Sequence, residues 1–501
     1  MMKYFMERIV DMKKKLLCIA LIVFMVIPFI YACQPKKDGN ESANSQISTD
    51  DELLGLPHRN FGGKKISILT VNEKRGNIYY DREFASNEIT GEAINDAVYE
   101  RTQILSEKYG IEIEVKYTDS PSNDYKNQIL AGDDTHQIIA DGIVDLAKLG
   151  IANLLWDLNK VPNLNFENSW WDQSAIRDLS TAGYNFYLAG DIIVSDNNAT
   201  WVCFFNKKLL EDYGLEHPYQ MVKDGTWTID ELYSMAKVVS VANQGLTEIT
   251  YENGTFGFLT QTYDAIASMA SFNQKMITKN DNDYPLLNIQ NENTFNKFGK
   301  IFEVMNDKTT SLIAERLKSP WDPIVYDWTL STFAAGRGLF QYGSLSYVQK
   351  IINANVSFEY GVLPLPKYDV NQDEYYSTCT VYRAHFIGIP KTVPEKDLDM
   401  IGYFLEVMGY YGQKQLIPAY YETTIKSQKM NDQQDDDMLD IIFANRVFDL
   451  AAVYDFDSAL YMYSNIVGSG VNTLASTVDS RSDSIQARID ATIEDFASID
   501  Q

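Results

Sequence analysis

The sequence predicts an α/β protein of two lobes joined by a hinge, with a helix-rich second lobe. The chain has 501 residues, which is more than one typical domain contains, so two lobes are the natural expectation. Residues 64–117 contain a strand, a helix and a second strand in the order of a parallel βαβ unit. Strand-like segments return after residue 360. We therefore predict that the chain leaves the first lobe, builds a second and returns, and that these crossings form the hinge.

The first lobe is predicted over residues 61–205. Lys64–Val71 is a nearly continuous apolar run, as in strands that are buried on both faces. Residues 90–110 have apolar side chains at helical spacing and end at a glycine. Residues 111–117 alternate apolar and polar side chains, which predicts a strand. Further elements are a helix at 123–131 and strands at 137–140 and 201–206.

The second lobe is predicted over residues 206–342 as mainly helical. Lys207–Tyr213 precedes Gly214, a residue that commonly ends helices. Thr228 and Glu231 have the spacing of a capping box before an apolar helix face. Residues 343–501 are predicted to return and contribute to both lobes and the hinge. They contain strands at 360–366 and 384–390 and helices at 398–408 and 438–448.

The N-terminus is predicted to be an export signal over residues 1–32, with Met12 as its start. Basic residues precede an apolar run over 16–32 that is marginal for a membrane span and contains Pro28. The run ends in Ile30-Tyr31-Ala32-Cys33, which resembles the lipobox of bacterial lipoproteins. We therefore expect acyl chains, palmitate among them, on Cys33 to hold the protein on the outer face of a membrane. The alternative is an uncleaved anchor helix. Residues 33–60 are predicted to be a flexible spacer.

Composition narrows the classes of partner. The net charge of −26 repels nucleic-acid phosphates and anionic lipid heads, so we expect no nucleic-acid partner. The body of the chain keeps two cysteines, Cys203 and Cys379, for which buried free thiols are favoured over a disulfide. The four histidines show no metal-ligand spacing. We expect neither a metal nor a cofactor.

Several segments resemble the family-1 extracellular solute-binding proteins, the substrate-capturing lipoproteins of ABC importers. The segments are FFNKKLLEDYG at 204–214, DGTWTIDEL at 224–232, YGVLPLPK at 360–367 and IGIPK at 387–391. This resemblance implies a periplasmic-binding-protein-like fold, in which two α/β lobes enclose a cleft. It also implies capture of a small solute, mostly a sugar or oligosaccharide, and delivery to an ABC permease rather than enzymatic turnover.

Candidate ligand-binding residues follow from the rule that ligands of open α/β sheets lie beyond the carboxyl ends of strands. A sugar needs aromatic rings for its faces and polar groups for its hydroxyls. The candidates are Asn72, Glu73, Asp141, Asp196, Asn197, Trp201, Trp321, Trp328, Gly343, Ser344, Tyr382 and Arg383. Each has an alternative interpretation as part of a loop, a turn or a packed core.

Two other functions stay open at this point. A membrane-anchored secreted glycoside hydrolase needs two carboxyl groups about 5–9.5 Å apart, and the sequence marks no such pair. A glycan-binding surface receptor without a transport partner is the other.

Two further segments are predicted to have structural roles. The acidic run at 435–437 is predicted to be a solvated helix N-terminus, and Trp170 and Trp171 are predicted to pack within a lobe.

Overall fold

The structure is a computed structural model that describes residues 54–72, 82–133, 135–243, 245, 250–317, 325–426 and 433–499. All of these belong to one structural unit, Asp50–Gln501. The predicted signal peptide, Cys33 and most of the predicted spacer lie outside the described residues, as do Glu73 and Trp321. None of the described helices is long and apolar enough to cross a membrane.

The described strands form two main sheets and a hairpin. They are β1 (Lys64–Val71), β2 (Ile111–Thr118), β3 (Ile138–Gly142), β4 (Trp201–Asn206), β5 (Phe256–Thr260), β6 (Ile277–Lys279), β7 (Pro285–Leu287), β8 (Ser311–Ile313), β9 (Gly338–Ser344), β10 (Tyr360–Leu363) and β11 (His385–Gly388). One sheet has the order β11-β3-β1-β2 and the other the order β10-β4-β9-β5-β8, while β6 pairs with β7.

The described helices surround these sheets. The α-helices are α1 (Ala93–Tyr109), α2 (Pro121–Ala131), α3 (Ile143–Ile151), α4 (Gln173–Leu179), α5 (Ser195–Asn198), α6 (Lys207–Tyr213), α7 (Pro218–Lys223), α8 (Ile229–Ser240), α9 (Asp264–Ser271), α10 (Glu292–Asn306), α11 (Val325–Ala334), α12 (Tyr347–Asn353), α13 (Leu398–Tyr411), α14 (Ile417–Tyr421), α15 (Gln433–Ala444), α16 (Leu450–Tyr454), α17 (Tyr461–Ser469) and α18 (Leu474–Ala497). Short 3₁₀ turns lie at Leu158–Lys160, Val241–Asn243, Ala314–Arg316, Glu395–Asp397 and Phe456–Ser458, and π-turns at Gly412–Leu416 and Glu422–Lys426.

The first lobe is built on the βαβ unit that the sequence predicts. β1 runs parallel to β2 and to β3, and α1 connects β1 to β2. The Glu92 side chain accepts from the first backbone amides of α1, and Gly110, with a φ of 61°, ends it. β11 is antiparallel to β3, with His385 opposite Gly142. The residues that precede β11 therefore lie at the edge of the sheet where β1, β2 and β3 end.

A buried glutamate fixes the tryptophan pair of this lobe. The indole nitrogens of Trp170 and Trp171 both donate to the Glu406 carboxylate, each over 2.9 Å, and Glu406 is fully buried. The backbone amide of Asn165 and the side-chain amide of Asn168 complete its hydrogen bonds at 2.7 Å. These four donors compensate the buried charge. Both tryptophans are buried, which confirms their predicted packing role.

The second lobe is helix-rich and contains the five-stranded sheet, to which β4 belongs, although the sequence predicts this strand as part of the first lobe. β5 runs parallel to β8 and β9, and β4 runs antiparallel to β9 with Trp201 opposite Ser344. The start of β4 therefore lies beside the carboxyl ends of β5 and β9. The Thr228 hydroxyl accepts from the Glu231 amide, which confirms the predicted N-cap of α8. The prediction for 435–437 is wrong for Asp435, which is fully buried and accepts from the Tyr219 hydroxyl.

Three neighbouring segments connect the lobes. The Thr380 amide donates to the Ala199 carbonyl over 3.0 Å, and the Trp201 amide donates to the Thr378 carbonyl over 2.9 Å. The Val447 amide donates to the Ser377 carbonyl over 2.8 Å, which adds the third segment. These crossings form a short ladder between the two main sheets, and few backbone angles need to change for the lobes to rotate about it.

The β6–β7 hairpin of the second lobe also contacts the first. The Lys279 ammonium donates to the Arg177 carbonyl over 2.6 Å, to the Ser180 hydroxyl over 2.7 Å and to Asp283 over 2.8 Å. The Ala182 amide donates to the Asp283 carbonyl over 2.9 Å. The lobes are thus connected both by the crossing segments and by this polar contact.

Candidate functional site

A cleft of about 360 Å³, open to solvent, lies where the two lobes meet. Its second-lobe wall comes from the start of β4, the residues after β5, the end of β9 and the first turns of α11 and α12. Its other wall comes from the segment before β11, and the start of α17, which packs on the second lobe, completes the lining. The lining residues are Trp201, Gln261, Tyr263, Tyr326, Asp327, Ser344, Tyr347, Lys350, Thr380, Tyr382, Arg383 and Tyr461. Strand ends therefore converge on the cleft, as expected for a ligand site of an open α/β sheet.

Aromatic rings form a connected row along this cleft. The ring of Trp201 stacks on that of Tyr263 with centroids 5.3 Å apart and an interplanar angle of 23°. Tyr263 lies 6.2 Å from Tyr461, measured between ring centroids. The Tyr461 hydroxyl in turn makes a hydrogen bond with that of Tyr382, whose side chain is 43% exposed. Flat apolar faces are thus available to a ligand beside hydroxyl groups.

Four phenol groups of the cleft lining, those of Tyr263, Tyr326, Tyr347 and Tyr461, are neutral hydrogen-bonding groups near pH 7. Burial raises the pKa of Tyr263 well above its ordinary value, and burial also raises the pKa values of Tyr326 and Tyr347. Burial and the hydrogen bond with Tyr382 raise the pKa of Tyr461. Each of these hydroxyls therefore keeps its proton and can both donate and accept.

Polar groups surround the aromatic row. Lys350 on α12 makes an ion pair with Asp327 on α11, and both side chains are about half exposed. The Ser344 hydroxyl lies 2.6 Å from that of Ser346. The amide of Gln261 and the guanidinium of Arg383 add further donors. Among the described lining residues Asp327 is the only carboxylate, so the described cleft contains no pair of carboxyl groups of the kind that glycoside hydrolysis requires.

Family membership is decided by a match that covers most of the two lobes. Residues 85–408 match the model of the bacterial extracellular solute-binding protein family. The chain belongs to this family. The match spans β2 to β11 and α13 as far as Met408, so it includes the five-stranded sheet of the solute-binding protein and every strand of the other main sheet except β1.

Solved structures share this fold at low sequence identity. A cyclo/maltodextrin-binding protein complexed with maltotetraose is 14% identical, has a TM-score of 0.55 and matches over 85% of this chain and 97% of its own. The apo form of RafE from Streptococcus pneumoniae is 13% identical, with a TM-score of 0.51 and coverage of 88% and 99%. The ABC substrate-binding protein Lmo0181 from Listeria monocytogenes, in complex with cycloalternan, is 13% identical, with a TM-score of 0.50 and coverage of 87% and 99%. No curated protein sequence matches the chain significantly.

Four sequence-predicted candidates of the solute-binding protein line the cleft. They are Trp201, Ser344, Tyr382 and Arg383. Gly343 is adjacent but is paired with Val202 within the sheet, and a Cβ there would lie 2.5 Å from the Tyr347 ring. Trp328 is next to the lining residue Asp327 and contacts the Tyr251 ring.

Four other candidates occupy different positions. Asn72 lies at the carboxyl end of β1 and its side-chain amide donates to Asp119. Asp141 is fully buried and accepts from the Ser122 amide and hydroxyl at the start of α2, over 3.1 and 2.7 Å. Asp196 and Asn197 are buried beside Arg446 in a separate cluster.

Sequence reasoning did not select eight lining residues. They are Gln261, Tyr263, Tyr326, Asp327, Tyr347, Lys350, Thr380 and Tyr461. The rule that ligands lie beyond the carboxyl ends of strands would have selected Gln261 and Tyr263 if β5 had been predicted. Tyr347 lies three residues after the predicted candidate Ser344, at the start of α12. Tyr461 begins α17, far along the chain from any predicted strand, and no sequence signal marks it.

The separate cluster surrounds Arg446 in the third crossing segment. The Arg446 guanidinium lies 2.8 Å from an Asp172 oxygen and 3.0 Å from an Asp196 oxygen, and donates to the Asn197 side chain over 2.9 Å. Asp191 lies nearby and accepts from the Gln413 amide over 2.9 Å. Burial raises the pKa of Asp196 to about 6 and that of Asp191 to about 7. Two carboxylates therefore pair with one guanidinium, whose charge also acts on Asp191.

Replacing Asp191 by asparagine is expected to make the protein more stable at pH 8. Because its pKa is about 7 in the folded protein and about 3.9 when unfolded, the folded state binds more protons between these values. Wild-type stability therefore falls as the pH rises from about 4 to about 7. The expected gain at pH 8 is about 1 kcal/mol or more, and it should be much smaller at pH 5, where most of the fall in stability has not yet occurred. Urea unfolding at both pH values measures it.

Asp307→Asn is the matched control for Asp191→Asn. Burial opposes ionisation of Asp307, but hydrogen bonds from Thr309 outweigh this effect and lower its pKa. The control should therefore lose stability at pH 8. An Asp191→Asn gain that is equal at pH 5 and pH 8 would contradict the assignment of the effect to a buried charge.

Proposed function

We propose that this solute-binding protein captures a sugar or an oligosaccharide in the cleft and delivers it to an ABC permease without chemical turnover. The observation that carries the proposal is the row of aromatic rings beside hydroxyl, amide and guanidinium groups. Aromatic faces cover the C–H faces of a sugar ring, while the polar groups bond its hydroxyls. Of the residues selected from the sequence, Trp201, Ser344, Tyr382 and Arg383 are the proposed ligand contacts.

The relatives in solved structures support the class of ligand. One is complexed with maltotetraose and another with cycloalternan, and both are sugars of several units. The cleft volume of about 360 Å³ lies within the range for small-molecule sites, which is about 300–1,000 Å³.

Lobe closure is the proposed means by which the ligand is retained. A ligand that contacts both walls binds the closed state better than the open state and so shifts the equilibrium towards closure. The crossing segments at 199–201, 377–384 and 445–449 would then act as the hinge. The closed, loaded form is the form that the permease is proposed to recognise.

Calorimetric titration with maltotriose, maltotetraose, cycloalternan and tagatose tests the proposal, with amino acids and dipeptides as controls. We expect at least one saccharide to bind in the micromolar range or tighter and to reduce the radius of gyration in small-angle scattering. Binding of a dipeptide with no response to any saccharide would refute the ligand class. Release of reducing ends during incubation would instead favour the alternative of a glycoside hydrolase.

We also propose that the protein is held on the outer face of the membrane by a lipid on Cys33. The support is the sequence pattern of a basic segment, an apolar run and Ala32 before Cys33. In cells, Cys33→Ser is expected to abolish incorporation of a palmitate analogue and to move the protein out of the membrane fraction. Cys203→Ser, which replaces a buried thiol in the body of the protein, is the control and should be labelled normally. Unchanged labelling of Cys33→Ser would exclude this anchor.

A further inference from the structure

A fully buried carboxylate lies directly behind the cleft wall. Asp264 is the first residue of α9 and has no exposed surface. One of its oxygens accepts from the Trp201 indole nitrogen over 2.9 Å and from the Gln261 side-chain amide over 3.2 Å. Both donors belong to residues that line the cleft. A single carboxylate oxygen thus sets the orientation of two side chains that face the ligand.

The other oxygen of Asp264 anchors the carboxylate to the second-lobe sheet. It accepts from the Thr260 hydroxyl over 2.8 Å and from the Gln261 backbone amide over 2.9 Å. These donors belong to the last residue of β5 and the residue that follows it. Burial raises the pKa of Asp264 to about 6, so the carboxylate is ionised near neutral pH and accepts strong, charge-assisted hydrogen bonds.

Orientation of Trp201 affects the rest of the aromatic row. The indole is 5% exposed and stacks on Tyr263, which contacts Tyr461. Without its hydrogen-bond acceptor, the indole would have a buried, unsatisfied N–H group, which costs free energy. Rotation of the ring towards another acceptor would remove this cost. Rotation would move Tyr263 and change the surface that the ligand contacts.

We propose that Asp264 is a positioning residue of the binding cleft, which acts on the ligand through the Trp201 indole and the Gln261 amide. This inference rests on the proposed function in so far as the cleft is the ligand site. It adds a residue that does not touch the ligand but determines the orientation of those that do. The expected chemical consequence is a preorganised aromatic wall, which reduces the entropic cost of ordering the site on binding.

The first test needs no ligand. The purified protein, labelled with ¹⁵N-tryptophan, is expected to show an indole resonance that disappears in Trp201→Phe. In Asp264→Asn this resonance should shift, and its exchange with water should accelerate at least about tenfold, because the charged acceptor is lost. Asp435→Asn replaces another fully buried carboxylate of the same lobe and should leave the resonance unchanged. An unaltered Trp201 resonance in Asp264→Asn overturns the inference.

The second test measures coupling in binding. Asp264→Asn is expected to weaken saccharide affinity about tenfold, whereas in the Trp201→Phe background the same change should cost less than about threefold. An equal loss in both backgrounds would mean that Asp264 does not act through the Trp201 indole and would overturn the inference. Thr260→Val, which removes one donor to the carboxylate, replaces Asp264→Asn in both tests if that variant does not fold. If no saccharide binds the unaltered protein, the proposed function fails, and the indole resonance still decides the role of Asp264.

Discussion

Replacing Arg446 by methionine is expected to lower the free energy of unfolding by about 3–5 kcal/mol. The guanidinium is 6% exposed and pairs with Asp172 and Asp196. Although burial disfavours its charged form, these carboxylates raise the pKa of Arg446 above its ordinary value. Methionine fills similar space but leaves two buried carboxylates without their cation. Loss of one partner from a buried ion pair is costly because the remaining charge stays desolvated.

Urea unfolding followed by circular dichroism measures this loss. Arg177→Met is the matched control, because Arg177 pairs with Asp178 over 2.9 Å but its side chain is 62% exposed. Because Arg177 is exposed and the buried Asp178 keeps a second cation, the Lys275 ammonium at 2.6 Å, the control should lose only about 0–1 kcal/mol and unfold almost as the wild type does. Adding Asp172→Asn and Asp196→Asn to Arg446→Met should restore part of the stability. A loss below about 1 kcal/mol for Arg446→Met would mean that the cluster does not hold the third crossing segment in place.

Replacing Tyr382 by alanine is expected to weaken saccharide binding about 30-fold, which corresponds to about 2 kcal/mol. The Tyr382 side chain is 43% exposed and lines the cleft, and its hydroxyl contacts that of Tyr461. Truncation removes an aromatic face from the ligand site and also releases Tyr461 from a hydrogen bond. Because the ring is largely exposed in the unliganded protein, the change should have little effect on stability.

Calorimetric titration of three variants tests this expectation. Tyr382→Phe keeps the ring and loses only the hydroxyl, so it should cost about threefold in affinity or less. Tyr117→Ala removes an equally exposed tyrosine, 39% exposed, from β2, outside the cleft lining, and should bind as the wild type does. If Tyr382→Ala kept full affinity, the ring would not contact the ligand, and the ligand position within the cleft would need revision.

The two predictions concern different parts of one mechanism. The Arg446 cluster holds a crossing segment against the first lobe, whereas Tyr382 belongs to the cleft that the crossing segments border. Arg446→Met should therefore change stability, and Tyr382→Ala should change affinity. Observation of the reverse pattern would mean that the hinge and the cleft are not separate structures.

The sequence by itself determined the class of fold and the first lobe. The period of apolar residues is a local property, so the strand Lys64–Val71 and the helix before Gly110 could be located to within a few residues. The family was also recognisable, because short segments such as 360–367 keep their order along the chain. Trp201, Ser344, Tyr382 and Arg383 were found because each lies next to a strand that the sequence marked.

Only the tertiary structure showed which other residues line the cleft and which charged side chains are buried. β5 and β8 have five and three residues and lie in the stretch that the sequence predicts as mainly helical, so Gln261 and Tyr263 had no marker. Tyr461 reaches the cleft because α17 packs on the second lobe, which is a contact between residues distant in sequence. Asp435 and Asp196 are charged side chains, which are normally solvated, and their burial depends on partners such as Tyr219 and Arg446 that only folding brings near. Burial and pairing are properties of the whole chain, and no local pattern contains them.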